Sequence, residues 1–223
     1  MKLNIAIDGP SAAGKSTIAK RLAALLGYVH LDTGAMYRCI AYKALCRHLS
    51  LTDEAALCAL IDQTEIELTP QGEVFLDGEK MDQRIRTDEV SMATSRISAL
   101  KGVREKLVAR QKKMAENKGV IMDGRDIGTV VLPQAELKIF LTASAEARAC
   151  RRYRENEEKG MASDYEQLVK DIAQRDAQDM QRTVSPLRQA ADAVLVDSSN
   201  LSIDEVVELI RAMAEKKQKE AKS

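Results

Sequence analysis

Short apolar runs alternate with longer amphipathic stretches along most of the 223-residue chain. Five runs have the length and continuous apolar character of strands buried on both faces of a parallel sheet: Leu3–Ile7, Tyr28–Leu31, Val120–Met122, Leu137–Leu141 and Ala193–Val196. The stretches with helical spacing are Lys15–Leu26, Ala35–His48, Val103–Glu116, Ala145–Glu158, Tyr165–Met180 and Ile203–Lys217. This alternation predicts an α/β fold in which a five-stranded parallel sheet is flanked by helices.

Two segments interrupt this alternation. Glu65–Leu68 and Val74–Leu76 are short strand-like runs separated by the turn residues Thr69–Gly72, which predicts a β-hairpin. We expect residues 64–98 to form a small inserted subdomain around that hairpin. Further along the chain, Arg151–Ser163 is dense in charge and contains a glycine, which predicts a loop between two helices.

The composition argues against nucleic-acid and membrane binding. Lys plus Arg and Asp plus Glu both number 34, so no overall basic field attracts nucleic acid. Trp is absent and Phe occurs only twice, so aromatic platforms for unpaired bases are scarce. No apolar stretch reaches the length of about 18 residues that a membrane span needs, and Asp8 interrupts the first apolar run, unlike a signal peptide.

The spacing of the cysteines indicates the redox state of the compartment. Cys39, Cys46, Cys58 and Cys150 lie far apart, and none has the Cys-x-x-Cys spacing. We expect reduced and mostly buried thiols in a cytoplasmic protein.

Residues 9–17 carry the most informative motif, a Gly, four residues and then Gly-Lys-Ser, between a predicted strand and a predicted helix. Such a P-loop turns backbone N–H groups toward an anion at a helix N-terminus, with the Lys on the β/γ-phosphates and the hydroxyl on Mg²⁺. The alternative is an ordinary glycine turn before a helix. The motif predicts an ATP site with Mg²⁺ on Ser16, formed by Gly9, Pro10, Ser11, Ala12, Ala13, Gly14, Lys15, Ser16 and Thr17.

The class of nucleotide enzyme follows from what accompanies this motif. The chain lacks the Asn-Lys-x-Asp motif of GTPases. The strand Val120–Met122 ends in Asp123-Gly124-Arg125-Asp126, without the Asp-Glu pair with which many ATPases activate water. A kinase instead excludes water and positions a second substrate, so these features favour a kinase. A nucleotide-dependent switch, and a kinase for an acceptor such as UMP, AMP or shikimate, remain alternatives.

Arginines and aspartates supply candidates for binding the transferred phosphate. Arg148, Arg151, Arg152 and Arg154 follow the fourth predicted strand and predict a lid over ATP, residues 148–163, although a solvated basic helix face has the same pattern.

Three further groups have structural as well as functional interpretations. Arg125 lies just past a strand's carboxyl end, where open α/β sheets bind ligands, or it pairs with the flanking aspartates. Asp32-Thr33-Gly34 opens a helix that contains Arg38, and Asp32 or Thr33 could act only as its cap. Arg175, Asp179 and Arg182 share one helix face, as substrate ligands or as an ion-pair ladder.

Together these motifs resemble those of bacterial cytidylate kinases. The resemblance rests on residues 9–17, Leu31–Arg38, Asp123–Val131 and the Arg175/Asp179/Arg182 set, and it runs in order along nearly the whole chain. It implies transfer of the γ-phosphate of ATP to CMP or dCMP by a monomeric, Mg²⁺-dependent P-loop kinase. It also implies that no general base is needed, so we expect His30 and His48 to be capping or surface residues.

The resemblance also implies roles for individual residues. Ser95, Arg104 and Asp126 would read the cytosine, and Arg175 and Asp179 would hold the pentose. The acceptor phosphate would contact Arg38, Arg125 and Arg182, and Thr33 and Asp123 complete the implied CMP-binding set. The implied catalytic residues are Lys15, Arg125, Arg148, Arg151 and Arg154.

Overall fold

The central sheet of the computed structural model, which describes residues 2–69, 72–158 and 160–221, confirms the predicted five parallel strands. These strands are β1 (Asn4–Asp8), β2 (Val29–Asp32), β6 (Val120–Gly124), β7 (Leu137–Thr142) and β8 (Val194–Asp197). Their order across the sheet is β2-β6-β1-β7-β8, and all four neighbouring pairs are parallel. The P-loop strand therefore lies in the middle of the sheet.

A second, antiparallel sheet contains β3 (Ile66–Leu68), β4 (Val74–Leu76) and β5 (Glu79–Met81). The pairing of β3 with β4 confirms the predicted hairpin, although Pro70 and Gln71 of its turn lie outside the described residues. The strand β5 was not predicted. It follows an Asp77-Gly78 turn in which both residues have positive φ, the combination that a tight two-residue hairpin requires.

The described helices are α1 (Lys15–Leu26), α2 (Thr33–Cys46), α3 (Glu54–Asp62), α4 (Asp88–Ile97), α5 (Lys101–Met114), α6 (Ala145–Glu158), α7 (Tyr165–Gln181) and α8 (Ile203–Glu220). Capping residues determine where several of these helices begin. The side chains of Asp53, Thr87 and Asp164 each accept a hydrogen bond from the backbone N–H of the third residue of the helix that follows. Ser202 and Glu205 form a reciprocal capping box at the start of α8. The helices α3 and α4 were not predicted.

Apolar side chains cover both faces of the central sheet. Ile5 and Ile7 pack on one face with α1 and α8, and the intervening Ala6 packs on the other face with Val108 of α5. A third cluster joins the small sheet to α2, α3, α4 and α5. Because this cluster extends beyond residues 64–98 on both sides, the limits of the inserted subdomain stay a prediction.

Two predictions about particular segments were wrong. The helix α6 has the bounds that its helical spacing predicted, Ala145–Glu158, so the first eight residues of the overlapping predicted loop Arg151–Ser163 are helical. Of the four free cysteines only Cys39 is buried, whereas Cys46 is exposed and the other two are half-buried. Within the described ranges, no helix combines the length and the apolar character needed to cross a membrane.

The strand register brings three aspartates to one edge of the sheet. Asp8 ends β1 and lies opposite Gly124, and Asp32 ends β2 and lies opposite Asp123. The carboxyl ends of parallel strands meet at the same edge, and this edge is where open α/β sheets bind their ligands. The candidate site is therefore built around Asp8, Asp32 and Asp123.

The glycine that starts the P-loop is needed for packing as well as for phosphate access. A Cβ added to Gly9 would lie 1.9 Å from the carbonyl oxygen of Leu141, and the residue has a φ of 150°. Gly27, with a φ of 64°, has nothing within 4 Å of its added Cβ. We predict that Gly9→Ala lowers the free energy of unfolding by at least about 2 kcal/mol more than Gly27→Ala, because only the first adds a backbone clash to conformational strain. Urea unfolding measures both, and equal losses would contradict the packing argument.

Candidate active site

The P-loop forms a concave backbone surface at the start of α1. Ala12 and Gly14 have positive φ values of 58° and 87°, and Gly14 precedes the helix without any side-chain cap. A backbone with positive φ at every second residue turns successive N–H groups to one side. The helix dipole adds positive potential there. The loop can therefore hold an anionic group such as a phosphate.

Lys15 is buried beside this surface. Only 6% of the residue is exposed, and its Nζ donates to the carbonyl oxygen of Pro10 at 2.7 Å. Burial, followed by repulsion from Arg125, lowers the pKa of the Lys15 ammonium well below its usual value. A bound anion would oppose both effects by supplying a nearby negative charge.

The carboxylate of Asp123 joins the P-loop to β2. It accepts a hydrogen bond from the Ser16 hydroxyl at 2.6 Å and is bonded to His30 Nε2 at 2.7 Å. The Thr33 hydroxyl donates to the backbone carbonyl of Asp123 at 2.7 Å. Although burial opposes the shift, the Asp123 carboxylate raises the pKa of His30. The expectation that His30 is a cap or surface residue was wrong, since it is 6% exposed.

The next aspartate along the edge has a structural role. Asp32 accepts from the backbone N–H of Ala35 and caps α2, which confirms the capping alternative for this residue. Burial, followed by the charge of Asp123, raises the pKa of Asp32. The cap fixes the start of the helix that carries Thr33 and Arg38.

Arg104 of α5 and Asp126 form a buried ion pair, with exposed fractions of 3% and 6%. Arg104 Nη1 also donates to the carbonyl of Ser98 at 3.1 Å, while its Nε has no partner within the described part of the chain. The half-buried Ser95 lies on α4, one turn after Ser91. The structure therefore brings together Arg104 and Asp126, both predicted to contact the acceptor base.

Asp179 of α7 holds two of the predicted arginines. It is 1% exposed, accepts from Arg125 Nε at 2.7 Å, and pairs with Arg182. The alternative in which Arg125 pairs with its flanking aspartates is therefore not observed. Burial, followed by repulsion from Arg104 and Arg125, lowers the pKa of Arg182 to about 10.

Positive charge also collects around Arg38 and Arg175. Burial, followed by repulsion from Arg125, Arg38 and Arg152, lowers the pKa of Arg175 to about 10. Arg38 Nη1 donates to the Ser91 hydroxyl at 2.9 Å, and burial is the main cause of its lowered pKa. The cations of α2, α6 and α7 are thus concentrated where an anionic substrate would relieve their repulsion.

The predicted lid arginines do not act as one group. Arg148 pairs with Asp176 at 2.6 Å and donates to the carbonyl of Ser11 at 3.1 Å, so it contacts the P-loop. Arg151 instead bonds to the hydroxyl and the carbonyl of Ser198 after β8. Arg154 is exposed on α6. A catalytic role for Arg151 and Arg154 stays a prediction.

Comparison with known proteins identifies the family. The family model described as cytidylate kinase matches residues 5–216. The cytidylate kinase of Bacillus velezensis is 55% identical over 219 residues, covering 97% of this chain and 98% of the relative. That of Caldicellulosiruptor saccharolyticus is 53% identical over 212 residues, covering 94% of each chain. This chain belongs to the cytidylate kinase family. Members are nucleoside monophosphate kinases that use ATP, so the alternative of a nucleotide-dependent switch is set aside.

A solved structure supports the fold independently. The shikimate kinase from Bacteroides thetaiotaomicron is similar with a TM-score of 0.50 at 14% sequence identity. The match covers 96% of this chain and 99% of that one. At this identity the likeness concerns the fold alone, a parallel sheet flanked by helices.

Asp8 is a site residue of this family member that the motifs did not reveal. It is 4% exposed and accepts from the backbone N–H groups of Ile127 and Gly128, both at 2.7 Å. It thereby fixes the π-helical turn Ile127–Val131 that follows Asp126. Burial raises the pKa of Asp8 to about 6 although both amides oppose the shift. The signal in the sequence was an acidic residue at the end of an otherwise apolar strand.

This shift predicts a pH-dependent stability. A raised carboxyl pKa means that the folded protein binds the proton more tightly than the unfolded chain, so the Asp8 contribution to stability falls as pH rises from about 4 to about 6. We predict that the unfolding free energy of the wild type minus that of Asp8→Asn falls by about 2 kcal/mol over this range. Urea unfolding at several pH values measures the difference. A difference that stays constant or rises with pH would contradict the assignment.

Proposed function

We propose that this protein transfers the γ-phosphate of ATP to CMP or dCMP, giving ADP and CDP or dCDP. The observation that carries the proposal is the buried Arg104–Asp126 pair, which lies at the same edge of the sheet as the P-loop. Family membership supports the same reaction. The contacts of the site residues support a proposal for how each part of the two substrates is held.

On the ATP side, the backbone N–H groups of residues 11–14 and the Lys15 ammonium bind phosphate oxygens. Mg²⁺ prefers oxygen ligands and commonly uses one or two protein groups together with substrate phosphates. Ser16 and Asp123 fit this preference, since their side-chain oxygens lie 2.6 Å apart. No cluster of three or more His, Cys, Asp or Glu side chains that could hold a metal occurs among the described residues, so the protein would share the ion with ATP. Bound there, Mg²⁺ would neutralise charge on the phosphates.

This arrangement changes one predicted role. Asp123 was expected to bind CMP, but its carboxylate contacts Ser16 and His30 on the P-loop side. We therefore assign Asp123 to the metal and the triphosphate. His30 acts as a positioning residue, because its ring nitrogen fixes the orientation of that carboxylate.

On the acceptor side, Arg38, Arg125 and Arg182 bind the phosphate of CMP. Arg38, Arg125 and Arg182 are half-buried, and burial is the first cause of the lowered pKa of each. A phosphate dianion restores favourable interactions for all three. We assign the pentose to Arg175 and Asp179, which are one turn apart on α7.

We assign recognition of the base to Asp126 and Arg104, with Ser95 of α4 as a third contact. Cytosine presents an amine at position 4, which donates to a carboxylate, and acceptors at N3 and O2, which suit a guanidinium. Uracil presents a carbonyl at position 4, which repels Asp126 in a buried site. The unpartnered Nε of Arg104 is a donor that the free protein leaves unused.

Catalysis then rests on positioning and charge neutralisation. The phosphate of CMP is already ionised near neutral pH, so its oxygen attacks the γ-phosphorus without a general base. Lys15, Arg125 and Arg148 neutralise charge that shifts toward the leaving ADP. We propose that residues 148–163 act as a lid and residues 64–98 as an acceptor-binding insertion, in a monomeric, cytoplasmic enzyme. The four free thiols support the cytoplasmic location.

The direct test is an acceptor panel with ATP and Mg²⁺. ADP formation is measured with CMP, dCMP, UMP, AMP, GMP and shikimate in turn. We predict strong turnover with CMP and dCMP and little with the others. Turnover with a different acceptor would leave the kinase assignment in place but refute the assignment of the base-reading pair.

A variant tests the base-reading pair itself. We predict that Asp126→Asn lowers kcat/KM for CMP by about 100-fold and reduces the preference for CMP over UMP, because the charged acceptor for the cytosine amine is lost. Asp62→Asn, which breaks the exposed ion pair between Asp62 and Lys106, is the matched control and should leave both values nearly unchanged. An unaltered CMP-to-UMP ratio in Asp126→Asn would refute direct contact with the base.

A further inference from the structure

Tyr37 is a buried side chain to which neither the motifs nor the proposed function assigns a role. It lies on α2 immediately before Arg38 and is 8% exposed. Its hydroxyl has no hydrogen-bond partner among the residues that the structure describes. Because a buried hydroxyl without a partner costs free energy, its retention calls for a physical reason.

The surroundings of this hydroxyl belong to the acceptor side of the site. The guanidinium carbon of Arg104 lies 5.7 Å from the centre of the Tyr37 ring. The charges of Arg104, Asp126 and Arg182 all act on the phenol. Burial raises the pKa of Tyr37 to about 12, so the phenol stays protonated and able to donate at neutral pH.

A second buried tyrosine shows that the fold can satisfy such a group. Tyr28 is 6% exposed, and its hydroxyl accepts from the backbone N–H of Leu3 at 2.8 Å and from Gln218 Nε2 at 2.7 Å. The hydroxyl of Tyr37 has no comparable partner, and neither does the Nε of the neighbouring Arg104. The Tyr37 hydroxyl and the Arg104 Nε therefore both lack a partner, although their side chains contact each other. We take this as an indication of a ligand that pairs with both.

We propose that Tyr37 is an acceptor-recognition residue whose hydroxyl donates a hydrogen bond to the O2 oxygen of the cytosine base. This inference rests on the proposed function, which places cytosine against Arg104 and Asp126. The base oxygen is favoured over a pentose oxygen because the Tyr37 ring contacts Arg104, which reads the same edge of the base. CMP and dCMP share this oxygen, so both acceptors gain equally from the contact.

The test compares Tyr37→Phe with Tyr28→Phe. For Tyr37→Phe we expect KM for CMP and for dCMP to rise about tenfold, with kcat and KM for ATP within about twofold of the wild type, since one uncharged hydrogen bond is lost. The unliganded variant should be as stable as the wild type or more so, because the hydroxyl has no partner to lose. Tyr28→Phe should show the opposite result, a loss of stability and unchanged KM values.

Each remaining outcome identifies what has failed. Wild-type KM values in Tyr37→Phe would overturn the inference, and so would a loss of stability as large as that of Tyr28→Phe, which would indicate a structural role. A rise in KM for CMP but not for dCMP would overturn the assignment to the base and indicate the pentose. If the wild type does not phosphorylate CMP at all, the proposed function fails before this comparison begins.

Discussion

The buried carboxylate of Asp123 is the interaction on which the site depends. A carboxylate withdrawn from water must be hydrogen-bonded, and Asp123 is bonded to Ser16 of the P-loop helix and His30 of β2. The two other strand-end aspartates are satisfied differently, Asp8 by backbone amides and Asp32 by the start of α2. Because each carboxylate fixes a different segment, the P-loop, α2 and the turn after Asp126 are held in one arrangement at the edge of the sheet.

Around this acidic centre the protein concentrates arginines that its own carboxylates only partly neutralise. Asp179 pairs with Arg125 and Arg182, whereas Arg175 is close to Arg125 and Arg38 and has a lowered pKa. Such a cluster of partly neutralised arginines binds phosphate groups most strongly when the negative charges of the two substrates come close together. The same excess of positive charge that makes the free site electrostatically unfavourable therefore favours the complex with both substrates.

Much of the framework could be predicted from the sequence, because strands buried on both faces are continuous apolar runs and the P-loop has a fixed spacing. The strand β5 could not, since two of its three residues are exposed and charged and leave no apolar pattern. For Arg151–Glu158 the helical spacing predicted a helix and the density of charge predicted a loop, and the structure follows the spacing. The role of His30 depends on Asp123, 93 positions away, so it follows from the strand register rather than from any local motif.

We infer that the site delivers the γ-phosphoryl group to a cytosine nucleotide rather than to water. The most direct measurement follows the label from ATP carrying radioactive phosphorus in its γ-phosphate, with Mg²⁺ and CMP present. We predict that the label appears in CDP, and that inorganic phosphate stays low with or without CMP. Label released mainly as inorganic phosphate at a rate independent of CMP would contradict the claim.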